Sequence, residues 1–267
     1  MQHRLKVRGA IPRKSIPCVC GVEVENETDG ITFTAASEED MKRLKHLLAF
    51  ELADMITQEY EEQSLSAYIE AAHPYFLPGE RQKILHSARL AVQKTPPAQR
   101  AHYIENRLYS FLADSERLSL EGFVNFRLKE YRTLLKKAAT AAVDVYLAQR
   151  EYEEFITLLK LFVNTQDPRE TALHVVAQPD GSYYLLNAEG EKLHPMFEET
   201  FGAGSAYALT EDDRLLSTLI TLSPEEITFH QIENLQNARL LETVMKVFSG
   251  RVHVCEMCTI CKNEKEF

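Results

Sequence analysis

Apolar and polar positions alternate in VEVE and ITFT on either side of Asp29-Gly30, and this two-residue period about a turn dipeptide predicts a β-hairpin within residues 17–36. At Ser37 the period changes. Ser37 is followed by Glu38, Glu39 and Asp40, a polar cap and an acidic first turn, after which Leu44, Leu47, Leu48, Leu52, Met55 and Ile56 recur at helical spacing. A long amphipathic helix is expected there. Pro74 and Pro78 interrupt the pattern, as do Pro96 and Pro97, and between these breaks Ile84, Leu85, Ala88 and Leu90 predict one short helix. Tyr103, Leu108, Phe111 and Leu112 predict another, ending at Asp114-Ser115. Leu120, Val124, Leu128, Tyr131, Leu135, Ala138, Ala142 and Val145 then predict a single buried stripe along a helix of several turns. Tyr152, Phe155, Ile156, Leu159, Phe162 and Val163 repeat that pattern until the chain reaches Pro168.

Beyond Pro168 alternation returns, with LHVVA and SYYLL flanking PDG and a second turn in NAEGEK. LLSTLITL, from Leu215, reads as a short helix, and Pro224 separates it from the strand EITFH. NARLLETVMKVF, with Leu240, Leu241, Val244, Val247 and Phe248 on one face, predicts a helix that Gly250 stops before the strand RVHVC. A strand, a helix and a strand in this order make two parallel strands joined by a crossover, which places EITFH and RVHVC side by side, with one strand inserted between them as the alternative. The expected class is α+β, with a mainly helical N-terminal and central region and a small mixed β-sheet C-terminal domain containing a βαβ unit. The expected domains are a strand module at 1–36, a helical bundle at 37–165 and an α+β domain at 166–267.

Composition narrows the function classes. The chain is 45% hydrophobic and 26% charged, the balance of an ordinary folded protein. Its formal net charge of −10 repels polyanions, so nucleic acid is not an expected partner. No run of about eighteen apolar residues is present, so no membrane span is expected. No apolar region follows the basic residues Arg4, Lys6, Arg8, Arg13 and Lys14 as an export signal requires. Five cysteines, an odd number crowded towards the two ends, suit a reducing compartment, and the expected location is the cytoplasm.

Three phrases carry a family resemblance: LEGFVNFRLKEY at 120–131, REYEEFITLLKLFVNTQDP at 150–168 and ITLSPEEITFHQIENLQNARLLETVMKVFSGRVHVC at 220–255. In this order they resemble the YtxC-like family of sporulation proteins from endospore-forming Gram-positive bacteria. The resemblance covers roughly the last 160 residues, and ordered phrases of this length are far more specific than a short motif. The N-terminal part is similar only in general helical character. The resemblance implies a cytoplasmic protein linked to spore formation and brings no catalytic residues with it.

The chemistry-bearing candidates are few. Cys255, Cys258 and Cys261 stand two residues apart, a spacing that lets thiolates share a zinc ion or an iron–sulfur cluster. If EITFH and RVHVC are parallel neighbours, they end at the same sheet edge. Alternation then puts Ile227, Phe229, Val252 and Val254 on one face and Thr228, His230, His253 and Cys255 on the other. With strands about 4.8 Å apart, His230 can complete a Cys3His site. The plainer reading of a terminal CxxCxxC with no second chelating pair is an unligated reduced tail. A dithiol–disulfide role ranks below metal binding, because a thioredoxin-like CxxC starts a helix after a strand, whereas Cys258 and Cys261 lie near a charged end with little sequence for a supporting helix. Cys18 and Cys20, on one side of a strand, read as small buried residues.

The basic phrase with Arg127, Lys129, Arg132, Lys136 and Lys137 reads as a solvated helix face rather than a phosphate contact. His174 and His230 have the chemistry of general bases, but neither sits in a recognisable catalytic pattern. The sequence has no GxxxxGKS, HExxH or GxSxG motif. The expected function is therefore that of a non-enzymatic factor or interaction module with an unidentified protein partner. The alternative is a metal-binding protein built on Cys255, Cys258, Cys261 and His230.

Overall fold

The predicted hairpin forms with its turn at Thr28-Asp29, one residue ahead of the expected Asp29-Gly30: strands β2 (Val22–Glu27) and β3 (Gly30–Ala35) pair antiparallel, with Glu27 opposite Gly30. A Cβ at residue 30 would collide with the Val7 carbonyl, so the close approach of neighbouring backbone requires glycine there. Val7 belongs to β1 (His3–Arg8), a strand the sequence reading did not anticipate, which pairs antiparallel with β3. In this computed structural model the described residues are 3–9, 11, 16–193, 210–256 and 258–262. The chain divides into two units, Met1–Ala148 and Gln149–Phe267.

In the first unit Ser37 caps helix α1 (Glu38–Met55), its Oγ accepting the Asp40 N–H at 3.1 Å. The expected long helix then continues through a π-turn at Ile56–Tyr60 into α2 (Glu61–Ala72). Such a turn inserts a residue into the ladder and rotates the following face. Helices α3 (Pro78–Gln93) and α4 (Pro97–Ala113) both start on a proline, the residue whose missing N–H costs nothing in a first turn. A short strand, β4 (Arg117–Ser119), then pairs parallel with β1, giving the sheet order β2-β3-β1-β4. This strand too went unanticipated.

The single helix expected from Leu120 to Val145 is interrupted. Helix α5 (Leu120–Arg127) ends at Leu128, whose φ of −107° and ψ of 33° are not helical, and α6 (Lys129–Thr165) runs on for 37 residues. The first stripe from Tyr131 onward and the whole of the second thus lie along this one helix. Leu5, Val7 and Phe33 from the sheet share a core with Leu44, Leu48, Leu108, Leu112 and Leu135 from the helices.

One polar cluster is enclosed among these helices. Arg100 donates from Nε and Nη2 to the Glu61 carboxylate at 2.8 and 3.0 Å, and the Tyr131 hydroxyl donates to the same carboxylate. Burial, and after it the hydrogen bond to Glu61 and then the Glu61 charge, pushes the Tyr131 pKa well up, so the hydroxyl remains a donor. Arg100 also donates to the carbonyls of Val92 and Thr95, the latter just ahead of α4.

The second unit contains β5 (Ala172–Ala177), β6 (Tyr183–Leu186), α7 (Glu211–Leu222), β7 (Glu226–His230), α8 (Ala238–Val247), β8 (Val252–Val254) and the single turn α9 (Thr259–Lys262). Its sheet order is β6-β5-β7-β8, with β5/β6 antiparallel and β5/β7 and β7/β8 parallel. The crossover strands β7 and β8 are direct neighbours. Leu173, Val175, Ile227 and Phe229 pack against Leu215, Leu219, Leu240, Val244 and Phe248. One face of the sheet is therefore covered by helices, as alternation requires. The class is α+β, with helix in the majority.

Removing Arg100 alone leaves the Glu61 carboxylate buried without its cation, so Arg100→Ala is expected to lower stability by about 3–5 kcal/mol. Glu61→Leu combined with Arg100→Met removes both charges and is expected to lose much less. Urea denaturation of the two variants checks this, and a double-variant loss equal to or above the single loss contradicts it.

Candidate metal centre

The hydrophobic alternation that buries Ile227 and Phe229 turns Thr228 and His230 to the opposite face of β7. The β7/β8 register pairs Ile227 with Val252 and Phe229 with Val254. The ladder extends one step further, because the Cys255 N–H donates to the Phe229 carbonyl at 2.8 Å. Cys255 therefore lies beside His230 at the carboxyl edge of two parallel strands. The chain then turns back through Cys258 into α9, which carries Cys261.

This turn brings four predicted ligands together. One ligand atom from each of His230, Cys255, Cys258 and Cys261 lies within 4.8 Å of all the others. His230 Nδ1 stands 3.4 Å from Cys261 Sγ and 3.5 Å from Cys258 Sγ. Cys261 Sγ is 3.9 Å from Cys258 Sγ and 3.8 Å from Cys255 Sγ. These sulfur separations are far beyond the about 2.05 Å of a disulfide, and all five cysteines are free. His230 is buried and the three thiols are half-buried, so the group faces a partly dry environment.

The thiols are electrostatically unequal. Burial, reinforced by hydrogen bonding with the other two thiols, pushes the Cys255 pKa up to about 11. At Cys258 burial acts in the same upward direction, but the backbone N–H of Cys261, the neighbouring thiols and the N–H of Ile260 together outweigh it and hold the group below its ordinary value. Cys258 is thus the readier thiolate of the two. Desolvation lowers the pKa of His230, aided by His174, and desolvation lowers that of His174. A neutral imidazole with a free lone pair is the ligand form that a metal requires.

His174 is the residue of this site that sequence reasoning missed. It was singled out only as an unsupported general base, whereas its Nδ1 lies 3.1 Å from His230 Nε2. The β5/β7 register pairs His174 with Thr228 and Val176 with His230, so the two histidines are diagonal neighbours on one face. The signal was present in LHVVA, whose alternation separates His174 from the buried Leu173 and Val175, but it needed the β5/β7 pairing to become a contact.

Other candidates fall elsewhere. Cys18 and Cys20 are exposed rather than buried and lie ahead of β2 instead of in a strand, beside Lys42, Arg43 and His46. The segment there carries no ladder that would turn both thiols inward. In the basic phrase, Arg127 rests over the Phe111 ring at 5.6 Å and Arg132 donates to the Asn125 carbonyl at 3.4 Å. Among the described residues no helix is long and apolar enough to cross a membrane.

Comparison with known proteins adds a lineage. The family model described as the YtxC-like family matches residues 46–253. The match reaches back into α1, well beyond the roughly 160 C-terminal residues that carried the resemblance in the sequence, and its last residue is two positions before Cys255. The Bacillus subtilis (strain 168) protein named "Uncharacterized protein YtxC" is 26% identical over 208 residues, which cover 73% of this chain and 71% of that one. No solved structure matches.

Proposed function

The chain belongs to the YtxC-like family, and from that premise we propose that it is a non-enzymatic factor whose C-terminal unit holds one zinc ion on Cys255, Cys258, Cys261 and His230. The observation that carries this reading is the set of distances among the four ligand atoms. Ligands on one tetrahedral zinc, with zinc–sulfur near 2.3 Å and zinc–nitrogen near 2.0–2.1 Å, stand about 3.8 Å apart for two sulfurs and about 3.6 Å for sulfur and nitrogen. Four of the six separations, 3.8, 3.9, 3.4 and 3.5 Å, fit those edges, and the other two, from Cys255 to Cys258 and to His230, lie within 4.8 Å. A cluster with several irons attaches its ligands to different metal atoms and spreads them further, so this spacing favours a single ion over an iron–sulfur cluster.

The donor set also bears on role. Four protein ligands fill a tetrahedral shell and leave no position for water or substrate, which is the pattern of a structural site rather than a catalytic one. Among the described residues, the segment after β8 has one helical turn, Thr259–Lys262, and an isolated turn of that length has little stability of its own. Zinc would clamp that turn onto the edge of the sheet and contribute folding free energy there. The context implied by the family resemblance, spore formation with a protein partner, is part of the same proposal.

Purification without added metal is expected to give close to one zinc per chain by elemental analysis, with Cys258→Ser and Cys261→Ser depleted and Cys18→Ser/Cys20→Ser unchanged. Less than about a tenth of a zinc per chain would overturn the metal reading, since a tight structural site is expected to be filled. For the context, a strain lacking the chain is expected to grow normally and yield fewer heat-resistant spores. Undiminished spore counts would remove that part.

A further inference from the structure

Resting on the zinc site proposed above, we infer that His174 is a positioning residue: its Nδ1 accepts the Nε2–H of His230 and so fixes the His230 tautomer with the Nδ1 lone pair directed at the metal. The two ring nitrogens of His230 have different neighbours. Nδ1 faces Cys261 and Cys258 at 3.4 and 3.5 Å, while Nε2 faces His174 Nδ1 at 3.1 Å. A neutral imidazole has one N–H and one lone pair, and the metal takes the lone pair. If Nδ1 is the ligand, Nε2 must carry the proton, and His174 Nδ1 stands opposite that proton. His174 must then be unprotonated at Nδ1 and protonated at Nε2, which determines its tautomer as well.

The backbone makes this arrangement rigid. His174 and His230 lie on adjacent parallel strands, with His174 in register with Thr228 and Val176 with His230. The ring centroids are 5.2 Å apart with a 53° angle between planes, which suits an in-plane nitrogen-to-nitrogen hydrogen bond rather than ring stacking. His174 is half-buried and His230 is buried, so water competes poorly for the Nε2–H. Metal-bound histidines are commonly oriented by a carboxylate, carbonyl or water at the second nitrogen. Here a second imidazole from the central part of the sheet takes that place, so the site extends across three strands, β5, β7 and β8.

The test uses the full chain, zinc-loaded and 15N-labelled, with long-range proton–nitrogen correlation of the imidazoles. The expected pattern is a metal-bound Nδ1 and protonated Nε2 at His230, with an unprotonated Nδ1 and protonated Nε2 at His174. Competition of the chain against a zinc chelator supplies a second readout. His174→Phe, which keeps a ring and removes the acceptor, is expected to weaken zinc retention by about 10–100-fold, and His174→Gln, which restores an acceptor, to recover part of that loss. A proton on His174 Nδ1, ligation through His230 Nε2, or wild-type zinc retention in His174→Phe would each overturn the inference while leaving the zinc site standing. A wild-type chain that takes up no zinc overturns both. Should His174→Phe fail to fold, the tautomers of the unaltered protein decide the question alone.

Discussion

The parallel pairing of β7 with β8 is the constraint on which the C-terminal site depends. The hydrogen bond from the Cys255 N–H to the Phe229 carbonyl places the first cysteine one step beyond the ladder and beside His230. A one-residue slip of either strand would send His230 or Cys255 to the opposite face, because side-chain direction has a period of two. What prevents that slip is apolar. Ile227 and Phe229 are wholly buried against helices α7 and α8, so exchanging the two faces would take both out of that apolar core and put Thr228 and His230 among its leucines and valines. The hydrophobic core thus determines the position of the polar cluster on the other face, and the spacing of the cysteines does the rest.

The first unit solves a different problem. There the buried polar group is Glu61, brought inward where the π-turn rotates the helical face and met by Arg100 and Tyr131 from separate helices. Each donor comes from a residue distant in sequence, so the cluster ties α2, α4 and α6 to one arrangement. Such a cluster contributes more to specifying which helices meet than to net stability, given the cost of desolvating both charges. Its donors are already engaged with the carboxylate or with backbone carbonyls, which is the pattern of a structural element.

How much of this was legible in the sequence follows from the range of the interactions. The hairpin of β2 and β3, the Ser37 cap, the proline breaks ahead of α3 and α4 and the β7–α8–β8 crossover are local, and their signals lie within a few residues of the elements they form. The crossover was enough to place His230 beside Cys255. His174 needed the β5/β7 pairing, which joins residues more than fifty positions apart and is not closed by a local turn. Strands β1 and β4 escaped notice for the same reason: β4 has only three residues, and its partner lies over a hundred positions earlier. The break at Leu128 was hidden because Leu128 itself fits the apolar stripe and is buried. Cys18 and Cys20 show the converse error, where a general tendency of cysteine to be buried was applied to a segment with no ladder to enforce it.

Taken together, a core-facing alternation, a parallel crossover and a two-residue thiol spacing bring three sulfurs and one nitrogen within 4.8 Å of one another, and the proposal is that a single tetrahedral zinc ion joins them. X-ray absorption at the zinc edge of the purified full chain tests that claim most directly. The expected first shell is three sulfurs near 2.3 Å and one nitrogen near 2.0–2.1 Å, at about those values for structural zinc. A shell dominated by oxygen, a count of fewer than three sulfurs, or a second metal among the near scatterers would contradict it.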